Sequence, residues 1–93
     1  MNTSAIRDKV KQIIANVTNI DPAEIGDRDS FVEDLDLDSL SLLEIGVDVD
    51  FEFKLSLPEE RMRELRTVED TVRLVEARLA ELAEQVLEVA EVA

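Results

Sequence analysis

The sequence predicts a mainly helical domain, on three observations. Gly and Pro number two each in 93 residues, too few turn formers for a β sandwich. The segment after the N-terminus repeats apolar residues at helical spacing. The C-terminal stretch does the same, and it is built almost wholly of good helix formers. A chain of this length makes one small domain with a thin core. Its apolar fraction of 45% is enough to form that core.

Thr3 or Ser4 is placed to cap the first helix. Ile6, Val10, Ile13, Ile14 and Val17 then form one apolar face, with Arg7, Lys9, Lys11 and Gln12 mostly on the others. Asn16, Thr18 and Asn19 weaken the helix near its end. A long connection runs from Asn19 to Asp38. Within it, Asp21-Pro22 signals a turn or helix start, and Pro22 to Ile25 could form one helical turn closed by Gly26. Phe31, Val32 and Leu35 are apolar in an acidic loop and are expected to plug into the core. A connection this long in so small a domain is usually functional or mobile.

Residues 39–54 support two readings. From Ile45 to Leu57 every second residue is apolar, the pattern of a strand. At 100° per residue, however, Leu42, Ile45, Val49 and Phe53 share one side of a helix. Leu40, Leu43, Val47 and Phe51 share the opposite side, with Glu44, Asp48 and Glu52 on a flank between. Periodicity favours the strand, while the low Gly content and the helical neighbours favour the helix. The residues by themselves leave both open.

Pro58 ends that element. Glu59 to Leu65 suits a short helix with acids in its first turn. Thr67-Val68-Glu69-Asp70 reads as a capping box, with Asp70 where Glu or Gln is usual. Val68, Val72, Val75, Leu79, Leu82 and Val86 mark the face of a final helix that nothing in the sequence stops before Ala93.

The net charge of -13 argues against nucleic acid and anionic membrane surfaces as partners, because phosphate binding needs clustered Lys and Arg. Partners with basic patches are expected instead. The acids are concentrated. Residues 29–53 hold nine acids and no base, while the rest of the chain has fourteen acids against ten bases. Solubility alone would not gather charge around Ser39. Cysteine and histidine are absent, which excludes disulfides, thiolate chemistry and the commonest general base. The start MNTSAIRDKVKQ does not read as a signal peptide, and no apolar run approaches spanning length. A cytoplasmic monomer without stable membrane insertion is expected.

No catalytic constellation is visible, since a nucleophilic serine needs a base that Ser39 lacks in its sequence neighbourhood. The chain is therefore not expected to be an enzyme. Asp34, Asp36 and Asp38 begin like a calcium loop, but Ser39 stands at its glycine position and Ile45 at its bidentate glutamate position. No dedicated metal site is expected. Ser39 could be an ordinary helix cap. It could also be a modification site, where a phosphodiester would meet the unpaired N–H groups of a helix start.

Several motifs recur together: Phe31-Val32-Glu33-Asp34-Leu35, Asp38-Ser39-Leu40, Glu44, Phe53, Pro58 and Thr67-Val68-Glu69-Asp70. In this order and spacing they resemble the acyl carrier proteins of fatty-acid and polyketide synthesis, over roughly residues 3–80. The resemblance implies an antiparallel four-helix bundle with a short third helix, and it reads residues 39–54 as helix. The carrier domain would be residues 1–80, with 81–93 a helical extension or frayed tail. Ser39 would carry 4'-phosphopantetheine, transferred from coenzyme A by a Mg²⁺-using phosphopantetheinyl transferase of the holo-carrier synthase type. Acyl groups would ride on its thiol. Asp38, Leu40, Leu43, Glu44, Val47, Asp48 and Asp50 would be partner contacts for acyltransferases, ketosynthases and other acyl-processing enzymes with basic patches. Ile45, Gly46, Val49, Phe53 and Leu57 would line an acyl pocket.

Three departures from the family pattern stand out. The chain runs on past the usual end, through about residues 81–93, read as a frayed continuation of the last helix with a partner or dimer contact as the alternative. Asp36 replaces a common glycine, giving a stiffer and more acidic loop. Phe51 stands where an acid is usual on the recognition helix and would add an apolar partner contact. These leave room for a specialised polyketide or lipid pathway. An aminoacyl or peptidyl carrier and a non-carrier acidic helical interaction module are the alternatives.

Overall fold

The computed structural model describes residues 2–92, with side chains described through Glu84. Its elements in chain order are α1 (Thr3–Thr18), a 3-10 turn (Pro22–Glu24), α2 (Ser39–Phe53), α3 (Glu59–Met62) and α4 (Val68–Val92). They form a four-helix bundle with a short third helix. Helix α1 packs on both α2 and α4, and α3 packs on α2. Among the described residues there is no strand, only an isolated bridge between Ser30 and Thr67. The 39–54 segment is therefore helix through Phe53, with Lys54 as its left-handed cap. Its alternating apolar pattern comes from two opposed helical faces. None of the described helices is long and apolar enough to cross a membrane.

The cap of helix α1 lies one residue earlier than expected. Asn2, rather than Thr3 or Ser4, takes the cap position and accepts from Ala5 N at 2.8 Å. The Thr3 hydroxyl is turned to Glu76 on α4. Ile6, Val10, Ile14 and Ala15 are buried, and Ile13 and Val17 pack at the edge of the core. Asn19 ends the helix in the left-handed conformation that a short polar side chain tolerates.

The long connection is strapped down at several points. Asp27 lies 2.8 Å from Lys11 and 3.3 Å from Arg7, which fixes it to α1. Its carbonyl accepts from Glu69 N at the start of α4. Phe31 N donates to Arg66 O, and the Phe31 ring is completely buried. Val32 was expected in the core as well but is exposed. After the bridge at Ser30 the chain turns, with Asp34 N and Leu35 N both donating to Ser30 O. This turn buries Phe31 while leaving Val32 on its outer side. Leu35 is half-buried, as a tether would be. The turn expected to close at Gly26 closes at Ile25, which is buried, while Gly26 N donates to Asp29.

Helix α3 is shorter than expected, because the chain turns at Arg63 and Glu64 before burying Leu65. The Thr67 hydroxyl accepts from Asp70 N at 3.1 Å and starts α4, as the capping motif predicts. Val68, Val72 and Val75 are buried, with Leu79 and Leu82 packed beside them. Val86 falls outside the described side chains, as does most of the proposed extension, whose backbone is helical to Val92.

Candidate functional site

The site is built on the start of α2, and the loop before it sets the approach. The Asp34 carboxylate accepts from Ser30 N at 2.6 Å, and the Ser30 hydroxyl accepts from Glu33 N. Leu37 N then donates to Phe31 O at 2.9 Å. These bonds wind Phe31 to Leu37 into a compact turn anchored by the buried Phe31 ring. Asp36 sits within it at a φ of 54°, a left-handed backbone that suits glycine and that aspartate tolerates better than most residues.

Asp38 follows as the cap of α2, with Oδ1 accepting from Ser41 N at 2.8 Å. Hydrogen bonds from Ser41, first its backbone and then its hydroxyl, hold the Asp38 carboxyl below its ordinary pKa. It is a carboxylate at neutral pH, turned back onto its own helix. Ser39 is the first helical residue and is exposed. The first-turn N–H groups of a helix lack intrahelical partners, so the Ser39 hydroxyl stands at an electropositive helix end inside an acidic surface.

A cleft of about 310 Å³ opens beside it, lined by Ser39, Leu40, Leu42, Leu43 and Arg63. Arg63 is the base that the acidic 29–53 segment lacks. It comes from the turn after α3, 24 positions along the chain from Ser39, and is brought close because α3 packs on α2. The contact between those helices is tight. A Cβ on Gly46 would lie 2.6 Å from Met62 Cβ. Sequence spacing gave no sign of this approach, since it depends on which face of α3 meets Gly46.

The rest of α2 divides cleanly. Ile45, Gly46, Val49 and Phe53 are buried, as is Leu57 in the following loop. On the other side Leu40 is 65% exposed, Val47 48% and Phe51 83%. Leu43 is half-buried, and Glu44 and Asp48 are exposed beside it. Leu43, Glu44, Val47 and Asp48 line a shallow groove. Two acids of this helix are already engaged. Asp50 Oδ1 accepts from Leu57 N at 3.0 Å, bracing the loop after α2. Glu52 pairs with Lys9 of α1 at 2.6 Å. Lys54, in the left-handed conformation, caps the helix end, and Arg78 Nε donates to Leu55 O from α4. Asp50 is thus held to its own loop, while Glu44 and Asp48 remain turned to solvent.

Comparison with known proteins bears on this arrangement. The family model described as "Phosphopantetheine attachment site" matches residues 8–75. The acyl carrier protein of Rhodococcus erythropolis is 44% identical over 73 residues, covering 78% of this chain and 80% of that protein. The acyl carrier protein of Thermobifida fusca is 35% identical over 71 residues, covering 76% of this chain and 90% of that protein. The meromycolate extension acyl carrier protein of Mycobacterium tuberculosis is 42% identical over 67 residues. Those residues are 72% of this chain but only 58% of that longer relative.

Proposed function

Because this chain belongs to the acyl carrier protein family, we propose that it is a non-catalytic carrier of acyl groups, held as thioesters on a 4'-phosphopantetheine arm joined to Ser39 Oγ. Bound there, the arm supplies the thiol that a chain without cysteine lacks. One observation carries the choice of Ser39. Its hydroxyl is exposed at the first position of α2, beside a cleft with leucine walls and one basic side chain. Those residues fit a long, partly apolar arm joined through an anionic phosphodiester.

The chain's own residues have distinct parts in this reading. Asp38 fixes the start of α2 and so the direction in which Ser39 points. The first-turn N–H groups favour a negative charge at that point. Ser39 has no base of its own, so a phosphopantetheinyl transferase with its Mg²⁺ must activate the hydroxyl. Ile45, Gly46, Val49, Phe53 and Leu57 are the buried residues among which an acyl chain would be sheltered. Glu44 and Asp48 would pair with bases on acyl-processing enzymes, around apolar contacts from Leu40, Leu43, Val47 and Phe51. Such charge complementarity speeds encounter and leaves the complex short-lived.

The pathway is fatty-acid or specialised lipid synthesis in the cytoplasm. Phe51 favours the specialised branch, because an exposed aromatic in an acidic face marks out a particular partner. The test is intact mass after incubation with coenzyme A, Mg²⁺ and a transferase. Wild type gains one phosphopantetheine and Ser39→Ala gains none. A gain that survives Ser39→Ala would sink the assignment. Mass analysis of the thioester loaded in the native host then separates acyl from aminoacyl cargo.

A further inference from the structure

We propose that Arg63 holds the phosphodiester of the Ser39-linked arm and lays the arm into the cleft between α2 and α3 when no partner is bound. The inference rests on the attachment at Ser39 and adds a positioning residue to it. Three observations carry it. Arg63 and Ser39 line the same cleft, whose other walls are Leu40, Leu42 and Leu43. Between Asp29 and Phe53 there is no base, and nine acids occupy that segment. The present partner of Arg63 is Glu59, at 2.8 Å, in an i,i+4 pair with both side chains largely exposed to water.

The chemistry follows from these placements. A phosphodiester on Ser39 brings a permanent negative charge next to the Asp38 carboxylate, in a surface already crowded with acids. That repulsion favours whatever cation can reach it. A guanidinium presents a planar fork of donors that matches two phosphate oxygens. An exposed i,i+4 ion pair is weak and easily exchanged, so Arg63 can leave Glu59 for the phosphodiester or bridge the two. Once the phosphate end is pinned, the pantetheine chain runs along the leucines rather than out into solvent. A client enzyme must then supply a competing base to draw the arm out. Arg63, the one positive charge of the cleft among the described residues, thereby acts as a latch on the resting carrier.

The experiment compares loaded wild type, Arg63→Gln and Glu59→Gln. Intact mass first establishes that each carries one arm. If wild type takes none, the attachment reading fails and this inference falls with it, a failure distinct from loss at Arg63 alone. With loading equal, the ³¹P resonance of Arg63→Gln is expected to differ from that of wild type, and the difference is expected to shrink in about 0.5 M salt as the ion pair is screened. Glu59→Gln, which removes the competitor, is expected to enlarge it. In wild type the Arg63 Nε–H cross-peak is expected to move on loading, a readout that needs no variant to fold. Coincident ³¹P resonances in loaded wild type and Arg63→Gln, or an Arg63 cross-peak unmoved by loading, would overturn the inference.

Discussion

Helices α1 and α2 have 16 and 15 residues and pack against each other, yet they spend their outward faces differently. Outward, α1 shows Asp8, Lys9, Gln12 and Asn16 to water. Its bases Arg7, Lys9 and Lys11 pair with Asp27 and Glu52 of the same molecule. Its composition is accounted for by folding alone. Outward, α2 shows Leu40, Val47 and Phe51 among Glu44 and Asp48. Folding gives no reason for those apolar residues, since exposing them gains nothing and invites association. The difference separates the part of the sequence that makes the bundle from the part that the bundle displays.

If that division is sound, the inward faces should be interchangeable in cost. Ile14 of α1 and Ile45 of α2 are both fully buried. Truncating either to alanine should cost about 2–5 kcal/mol, from lost transfer energy and the cavity left behind. That is a large share of the total stability of a small domain. Urea midpoints for Ile14→Ala and Ile45→Ala test it. A much smaller loss for Ile45→Ala would mean that the inner face of α2 is loosely packed, and the comparison would break at its base.

Gly46 offers a sharper version, because α1 has no counterpart to it. Its missing side chain lets Met62 approach so closely that a Cβ there would be 2.6 Å from Met62 Cβ. Met62 is flexible, but its own Cβ is fixed by the backbone of α3. Gly46→Ala should therefore displace α3 and cost about 1–3 kcal/mol as overpacking, despite the better helix propensity of alanine. The same displacement would widen or close the cleft that holds Arg63. Backbone amide shifts of α3 in Gly46→Ala, read beside the urea midpoint, decide it. A stabilised variant with unmoved α3 resonances would show that the close contact is not obligatory.

Each helix is also secured by one aspartate whose carboxyl is held below its ordinary pKa. For Asp27 the first cause is a hydrogen bond from Lys11, with the charges of Lys11 and Arg7 adding to it against burial. For Asp38 it is the hydrogen bonding from Ser41. A depressed folded-state value means a contribution present above the unfolded carboxyl pKa of about 4 and lost as pH falls through the folded one. Both anchors should weaken together below about pH 4. Asp38→Asn keeps a capping oxygen that cannot titrate, so it should remove the α2 part of the acid sensitivity alone. The Ser41 amide shift followed with pH would reveal this. An Asp38→Asn variant with an unchanged acid profile would assign that sensitivity to other groups.

How much of this was legible beforehand differs between the same two regions. Helix α1 could be read from periodicity, because one apolar face on one core gives one pattern. Helix α2 could not, because apolar residues on opposite faces produce the alternation of a strand. The family motifs, rather than the period, chose helix. Val32 is apolar like Phe31, but the turn closed onto Ser30 O buries only Phe31, and that turn is not encoded in apolar spacing. Asp36 was recognised as a departure from glycine, but its left-handed backbone is a property of the folded turn. Arg63 was invisible as a site residue. It is remote from Ser39 in sequence, and only the packing of Met62 onto Gly46 brings α3 beside the start of α2. Local elements follow from spacing, whereas the neighbours of a site depend on tertiary contacts that spacing does not encode.

The smallest expected change in stability belongs to the residue that most distinguishes the two helices. Phe51 is 83% exposed and absent from the core. Phe51→Glu should shift stability by no more than about 0.5 kcal/mol, the usual range for surface positions. If the outward face of α2 exists to be recognised, the same substitution should slow at least one acyl-processing client. A buried aromatic anchor in an interface is commonly worth about 2 kcal/mol or more, which is roughly thirtyfold in kcat/KM. Phe51→Ala serves as the companion, since it removes the ring without adding charge. A client that tolerates neither variant reads the ring. One that tolerates Phe51→Ala but rejects Phe51→Glu reads the charge pattern around it. Unchanged rates with every client tested would leave α2 with an apolar face that nothing uses, and the contrast with α1 would lose its functional meaning.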